Sequence, residues 1–226
     1  MQQITIFGAT GFVGKNLLKE AIKKGYAVKV LARNKEDLRG FEAFIEIVEG
    51  NYFDKDKLKN ALNGSDVILS TVGPPKNGEL SFEDEKKYIN SMAFIIRQME
   101  VNQQTRLINI SGAGVKMANE NLPLARKLLR VKLMAASKST MNIKDRELQL
   151  LAQSNLDWTN IRPPMIQEKV EGELVADEIK FLGMAVDINQ LCDFILAEID
   201  NNEWIKKAPV LATKKINATK NNNELI

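Results

Sequence analysis

Short apolar, β-branched runs alternate along the chain with longer stretches of helical periodicity, and that alternation predicts a parallel sheet covered by helices. The runs predict strands at Ile4–Phe7, Val28–Ala32, Ile45–Glu49, Val67–Val72, Leu107–Ser111 and Trp158–Ile161. Val13, Leu17, Leu18, Ala21 and Ile22 share one helix face, which Lys23-Lys24-Gly25 closes with cations at the negative end of the dipole and a terminating glycine. Leu58, Ala61 and Leu62 predict a short helix stopped by Gly64. Ile89, Met92, Ala93, Ile96 and Met99 predict a longer one, and Leu148, Leu151 and Ala152 a further turn or two before Trp158. A last helix starts at Asp187, with Gln190 at its third position in a capping-box-like arrangement. Residues 112–142 and 165–186 are the least periodic, and loops of that length in a compact domain usually cover a site, so they are expected to face the substrate. Residues 1–216 read as a single α/β domain and 217–226, rich in Asn and Lys, as a frayed tail.

Composition narrows the chemistry. At 226 residues with 44% apolar and 27% charged side chains, the chain has the makeup of one folded globular domain. Its formal charge of +3 comes from residues 201–226, while residues 1–200 are balanced, so no cationic face for nucleic acid is expected. Histidine is absent and Cys192 is the single cysteine, which excludes histidine acid/base chemistry, imidazole or multi-thiolate metal sites and an internal disulfide. Cys192 falls in an apolar stripe with Ile188, Leu191, Ile195 and Ile199 and reads as core. No apolar run is long enough to span a membrane, and a strand directly after Met1 leaves no room for a signal peptide, so a cytoplasmic protein is expected.

The most informative motif is Gly8-Ala9-Thr10-Gly11-Phe12-Val13-Gly14, between the first strand and the first helix. Gly8 permits a tight turn, Gly11 lets the backbone approach a pyrophosphate, and Gly14 allows close packing of helix on sheet, while the helix N-terminus offers free N–H groups. The spacing is GxxGxxG, one residue off the usual dinucleotide fingerprint. About twenty residues on, where an acid would bind a ribose 2′-hydroxyl, stand Arg33 and Asn34. An arginine there grips a 2′-phosphate, which favours NADP(H) over NAD(H); a solvated surface arginine is the alternative.

Together with Glu49-Gly50-Asn51, Asp66-Val-Ile-Leu-Ser-Thr-Val-Gly73 and Asp157-Trp-Thr-Asn-Ile-Arg-Pro163-Pro164, these motifs resemble the atypical short-chain dehydrogenase/reductases. Within them the chain is similar to the NAD(P)H-binding, NmrA-like group that includes biliverdin-IXβ/flavin reductase. The resemblance implies a Rossmann-type doubly wound parallel sheet. It puts Asn51 against the adenine, Thr71, Val72, Gly73 and Pro74 along the ribose and pyrophosphate, and Pro163 and Met165 beside the nicotinamide.

Short-chain dehydrogenases use a Ser, a Tyr and a Lys, with the Tyr four residues before the Lys. The tyrosines here, Tyr26, Tyr52 and Tyr88, all precede the fifth strand, so that pair is missing. Lys144 matches the family's lysine, but Thr140 stands where the tyrosine would be; a surface lysine on a polar helix face is the alternative. Ser111 ends the fifth strand and is placed to donate to the nicotinamide amide or a substrate carbonyl, and Gly112 replaces a second hydroxyl common in flavin-reductase relatives. A reactive acceptor takes its proton from solvent, so the expected activity is NADPH-dependent reduction of a planar conjugated molecule such as a flavin or quinone. A non-catalytic NADP(H) sensor and a sugar-nucleotide epimerase-like enzyme are the alternatives.

Overall fold

The computed structural model describes residues 2–75 and 79–215; the expected frayed tail, 217–226, lies wholly outside them. The chain runs β1 (Gln3–Phe7), α1 (Phe12–Lys23), β2 (Ala27–Ala32), β3 (Ile45–Glu49), α2 (Lys55–Leu62), β4 (Val67–Ser70), α3 (Phe82–Val101), β5 (Arg106–Ile110), α4 (Leu124–Ala136), α5 (Lys138–Gln153), β6 (Asp157–Ile161), β7 (Met165–Gln167), β8 (Glu173–Asp177), β9 (Ala185–Asp187), α6 (Ile188–Asn201) and β10 (Val210–Lys214). Six parallel strands pair in the order β3-β2-β1-β4-β5-β6, so the chain reverses direction between β1 and β4. That is the Rossmann arrangement, in which ligands bind at the carboxyl ends beside the reversal.

Alternating strand residues feed two cores. Ile4, Ile6, Val28, Val30, Val67, Leu69 and Ile108 point to Leu17 and Leu18 of α1 and to Leu191, Cys192 and Ile195 of α6. Phe7, Leu31, Ile68, Leu107 and Trp158 point the other way, to Leu58 of α2, Met92 and Ile95 of α3 and Leu148 and Leu151 of α5. Cys192 is fully buried, and burial pushes its thiol up to about 12. Beyond β6, bridges from Thr159 to Lys207 and from Arg162 to Val210 extend the sheet by a partial seventh strand.

Three expectations change. Residues 112–142 are not a loop, because they hold α4 and the start of α5, and α5 is a 16-residue helix where only a turn or two was expected. Residues 165–186 contribute β7, β8 and most of β9, which pair as β7–β9 and β8–β10. At α6 the Asp187 carboxylate caps Asn189 and Gln190, but the reciprocal capping-box bond is absent. Thr213 replaces it: the Asp187 N–H donates to Thr213 Oγ1 (2.9 Å), and that hydroxyl donates to Gln190 Oε1 (2.7 Å).

Candidate dinucleotide site

The loop from Gly8 to Gly14 joins β1 to α1 at the reversal point. Gly8 has φ +84°, and a Cβ there would come within 2.7 Å of Thr71 Oγ1, so the backbone conformation and the space both call for glycine. A Cβ on Gly14 would overlap the Gly8 carbonyl, which is the close helix-on-strand packing expected of that position. Gly11 differs, since a Cβ would meet nothing nearer than the Gly8 oxygen at 3.4 Å. Nothing among the described residues forbids a side chain at 11, which leaves the space open to a ligand that approaches the loop. Gly11 is also the N-cap of α1, which has no side-chain cap and no acid in its first turn. Asp54, Ser81, Ser137 and Asp187 cap α2, α3, α5 and α6. The unclaimed N–H groups of α1 suit an anion.

This loop forms one wall of a cleft of about 420 Å³ at the carboxyl ends of β1, β2 and β4. Gly8, Thr10 and Gly11 meet Leu31, Ala32 and Arg33 from β2, Thr71, Val72, Gly73 and Pro75 after β4, and Gly50 to Phe53 after β3, with Tyr88 of α3. Arg33 is exposed and forms no ion pair among the described residues; Glu36 is taken by Arg39 at 2.8 Å. Its charge reaches Tyr88, whose phenol burial nevertheless raises above its ordinary value. Asn51 lines the cleft while its Oδ1 accepts from Phe53 N–H (3.1 Å). Phe7, Tyr52, Phe53 and Tyr88 form edge-to-face steps with centroids 5.8, 5.9 and 4.9 Å apart. Sequence reasoning missed Gly50, Tyr52, Phe53, Pro75 and Tyr88. The Tyr-Phe pair directly after Asn51 was the available signal; Tyr88, on a helix distant in sequence, offered none.

Other expected residues lie outside this wall. Asn34 caps the 3₁₀ turn Lys35–Leu38 through its Oδ1, which accepts from Glu36 N–H (3.0 Å). Phe12 is exposed, Val13 packs on the core, and Pro74, Pro163 and Met165 do not border the cleft. Thr71, which does line the cleft, directs its hydroxyl to the carbonyls of Phe7 (3.1 Å) and Gly8 (3.2 Å), holding the glycine turn.

Lys144 and Ser111 stand one step behind the cleft. Lys144 is buried, contrary to a surface-lysine reading, and its ammonium donates to the carbonyls of Val72 (2.6 Å) and Ile110 (3.2 Å) and to Glu147 Oε2 (2.8 Å). Those three acceptors match its three donors. Glu147 was not foreseen and is almost fully buried; it continues inward to Asn109, which donates to Asn160 Oδ1 at 2.9 Å. The Ile110 carbonyl that Lys144 holds belongs to the peptide of Ser111, whose own N–H donates to Ile161 (2.8 Å). Ser111 Oγ is buried with no partner among the described residues. Burial first, then the Glu147 charge, push the Tyr52 phenol well above its ordinary value, against a smaller opposite effect of Ser70.

The segments after β5 and β6 are tied together by charge. Glu120 pairs with Arg126 and with Arg162 (2.6 Å), and both arginines donate to the Val115 carbonyl (2.8 and 3.1 Å). Burial pushes the Glu120 carboxyl up, but Arg162, the Met117 N–H and Arg126 outweigh it and hold it below its ordinary value.

Fold and cleft together define a Rossmann-type dinucleotide-binding protein. Residues 8–202 match the NAD(P)H-binding family, and the chain belongs to it. Among curated relatives, it is 32% identical over 96 residues to a phenylcoumaran benzylic ether reductase of Pyrus communis, covering 38% of this chain and 30% of that one. It is 27% identical over 145 residues to subunit 9 of the NADH dehydrogenase [ubiquinone] 1 alpha subcomplex of Arabidopsis thaliana, covering 61% and 34%. The match thus spans about a third of these relatives' lengths. Among solved structures, the anaerobillin reductase ChuY of Escherichia coli O157:H7 superposes with a TM-score of 0.78 at 16% identity over 96% of this chain and 100% of that one. A short-chain dehydrogenase/reductase of Veillonella parvula in complex with NADP gives 0.75 at 18% identity, over 93% and 94%. At these identities the superpositions speak for the fold.

Proposed function

We infer that the protein is an NADP(H)-dependent reductase of planar conjugated acceptors of the flavin or quinone type. The observation that carries the cofactor part is the cleft itself: an uncapped helix start, a glycine whose side-chain space is left open, and an unpaired arginine at the end of β2. Bound NADPH supplies the hydride. The chain's own part is orientation: Gly11 and the α1 N–H groups receive the phosphates, Arg33 the 2′-phosphate, and Asn51 with the aromatic steps the adenine. Ser111 presents its unpaired hydroxyl where β5 ends. An acceptor that draws its proton from solvent suits a site lacking the Tyr-x-x-x-Lys pair. The reductase names among relatives and fold neighbours are consistent with this reading.

A non-catalytic NADP(H) sensor is the second reading, favoured by one observation: every donor of Lys144 is engaged within the protein. Steady-state NADPH oxidation with FMN, dichlorophenolindophenol or menadione separates the two. Turnover with any of these supports the reductase, and tight NADPH binding without turnover supports the sensor.

A further inference from the structure

We propose that the outer face of α4 is a docking surface for an anionic lipid bilayer. α4 carries large apolar side chains on both faces: Leu133 and Met134 are half-buried against the core. On the inward face α4 also holds Arg126, fully buried, and Arg130, which donate to the carbonyls of Ala113 (3.2 Å), Val115 (2.8 Å) and Gly114 (2.9 Å) and pair with Glu120 and Asp145. Its outward residues are Leu124, Leu128 and Val131, exposed to 72, 63 and 68%, at spacings of four and three that align them in one stripe. Ile179 is also exposed, next to Glu178, whose carbonyl accepts from Arg126 (3.5 Å). A stripe of three large side chains on one helix marks a contact surface.

Charge selects the occupant. Leu124–Ala136 contains no acid, and its two remaining cations, Lys127 and Lys132, are exposed and unpaired among the described residues. The neighbouring carboxylates turn inward, Glu120 to its two arginines and Glu178 to the Ala208 N–H (3.4 Å). An apolar stripe flanked by lysines lies in a bilayer interface, with the side chains in the acyl boundary and the ammonium groups at anionic headgroups. A two-fold contact with a second copy would oppose lysine to lysine. No helix among the described residues is long and apolar enough to cross a membrane, and surface docking needs none. α4 belongs to the segment that follows the carboxyl end of β5, as Ser111 does, so docking would bring a lipid-borne quinone to that end of the sheet. This last consequence rests on the reductase reading; the lipid contact does not.

The test is co-sedimentation of the full chain with vesicles of phosphatidylcholine alone and with vesicles containing phosphatidylglycerol as the minor component. Retention is expected on the anionic vesicles only and falls with added salt. The double variant Lys127→Gln/Lys132→Gln should weaken it roughly 30-fold, and Leu128→Glu should abolish it with NADPH binding unchanged. Absence of retention on anionic vesicles at low salt, or undiminished retention of Leu128→Glu, overturns the proposal. So does a wild-type dimer in sedimentation equilibrium that Leu128→Glu dissociates, because a second copy then covers the face. Vesicle binding without acceptor turnover would refute the reductase reading and leave the docking surface standing.

Discussion

Two side chains near the cleft illustrate how partners decide a residue's role. Arg33 has no ion pair among the described residues, so its guanidinium is free to form a pair of charge-assisted bonds with a 2′-phosphate, which contribute about 1.5–3 kcal/mol. NADPH is therefore expected to bind at least about tenfold tighter than NADH in fluorescence titration, and Arg33→Ala to remove the preference. Lys144 is the opposite case, because its donors are spent on Val72, Ile110 and Glu147. Lys144→Met strands the Glu147 carboxylate in the core, and a cost of about 3–5 kcal/mol is expected in urea unfolding. If Lys144 served the ribose alone, the variant would unfold like the wild type and lose only NADPH affinity. Ser111 is an orienting donor in this scheme, so turnover of Ser111→Ala with menadione should fall about 10-fold, with little pH dependence between about pH 6 and 8.

At the scale of elements, the glycine loop separates packing from ligand space. Gly14→Ala should destabilise the fold, because the added Cβ meets the Gly8 carbonyl, a backbone atom that cannot swing aside. Gly11→Val should instead keep the melting temperature near that of the wild type and abolish NADPH binding, since its side chain fills space the protein leaves open. Retained binding in folded Gly11→Val would remove the loop as phosphate site. The same scale explains what the sequence made legible. All six central strands were readable because each is a short run rich in β-branched or other apolar residues, buried in five of them and half-buried in the edge strand β3, and the glycine motif was readable because it falls between a strand and a helix. α4 was not, because Arg126 and Arg130 share its inward face with Leu133 and Met134 while Leu124, Leu128 and Val131 face outward, so apolar residues lie on both sides. Helical periodicity shows where apolar residues keep to one face, and here guanidiniums on loop carbonyls stand among the inward residues. The first turns of α5 were hidden similarly, since Ser139, Lys144 and Glu147 lie on its buried face. Glu147 itself could not be assigned from spacing, because an i,i+3 Lys-Glu pair on a helix is as common in solvent as in a core.

For the whole molecule, the Glu120 cluster joins the segment after β5, α4, and the end of β6 through one carboxylate and two arginines that are almost fully buried. It ties these segments to the sheet beside the apolar contacts that Val115, Met117, Leu133 and Met134 make with the second core. The sign of its pH dependence follows from the depressed Glu120 carboxyl, whose ordinary value is 4.5. A carboxylate with a lowered value in the folded state contributes its full stability above the unfolded value and loses it as pH falls through the folded one. The cluster is therefore expected to be intact at neutral pH and to weaken below about pH 4.5, where protonation leaves Arg126 and Arg162 facing each other without their shared counter-ion. Glu120→Gln imposes that state at all pH values. Thermal unfolding from about pH 7 down to 3 should show a lower melting temperature for the variant at neutral pH, by a cost of about 3–5 kcal/mol, and a gap that narrows as acid protonates the wild type. A constant gap across that range would mean that the carboxylate acts by shape and not by charge. Hydrogen exchange would localise the effect: residues 113–122 and α4 should lose protection in Glu120→Gln before β1, β4 and the cleft do.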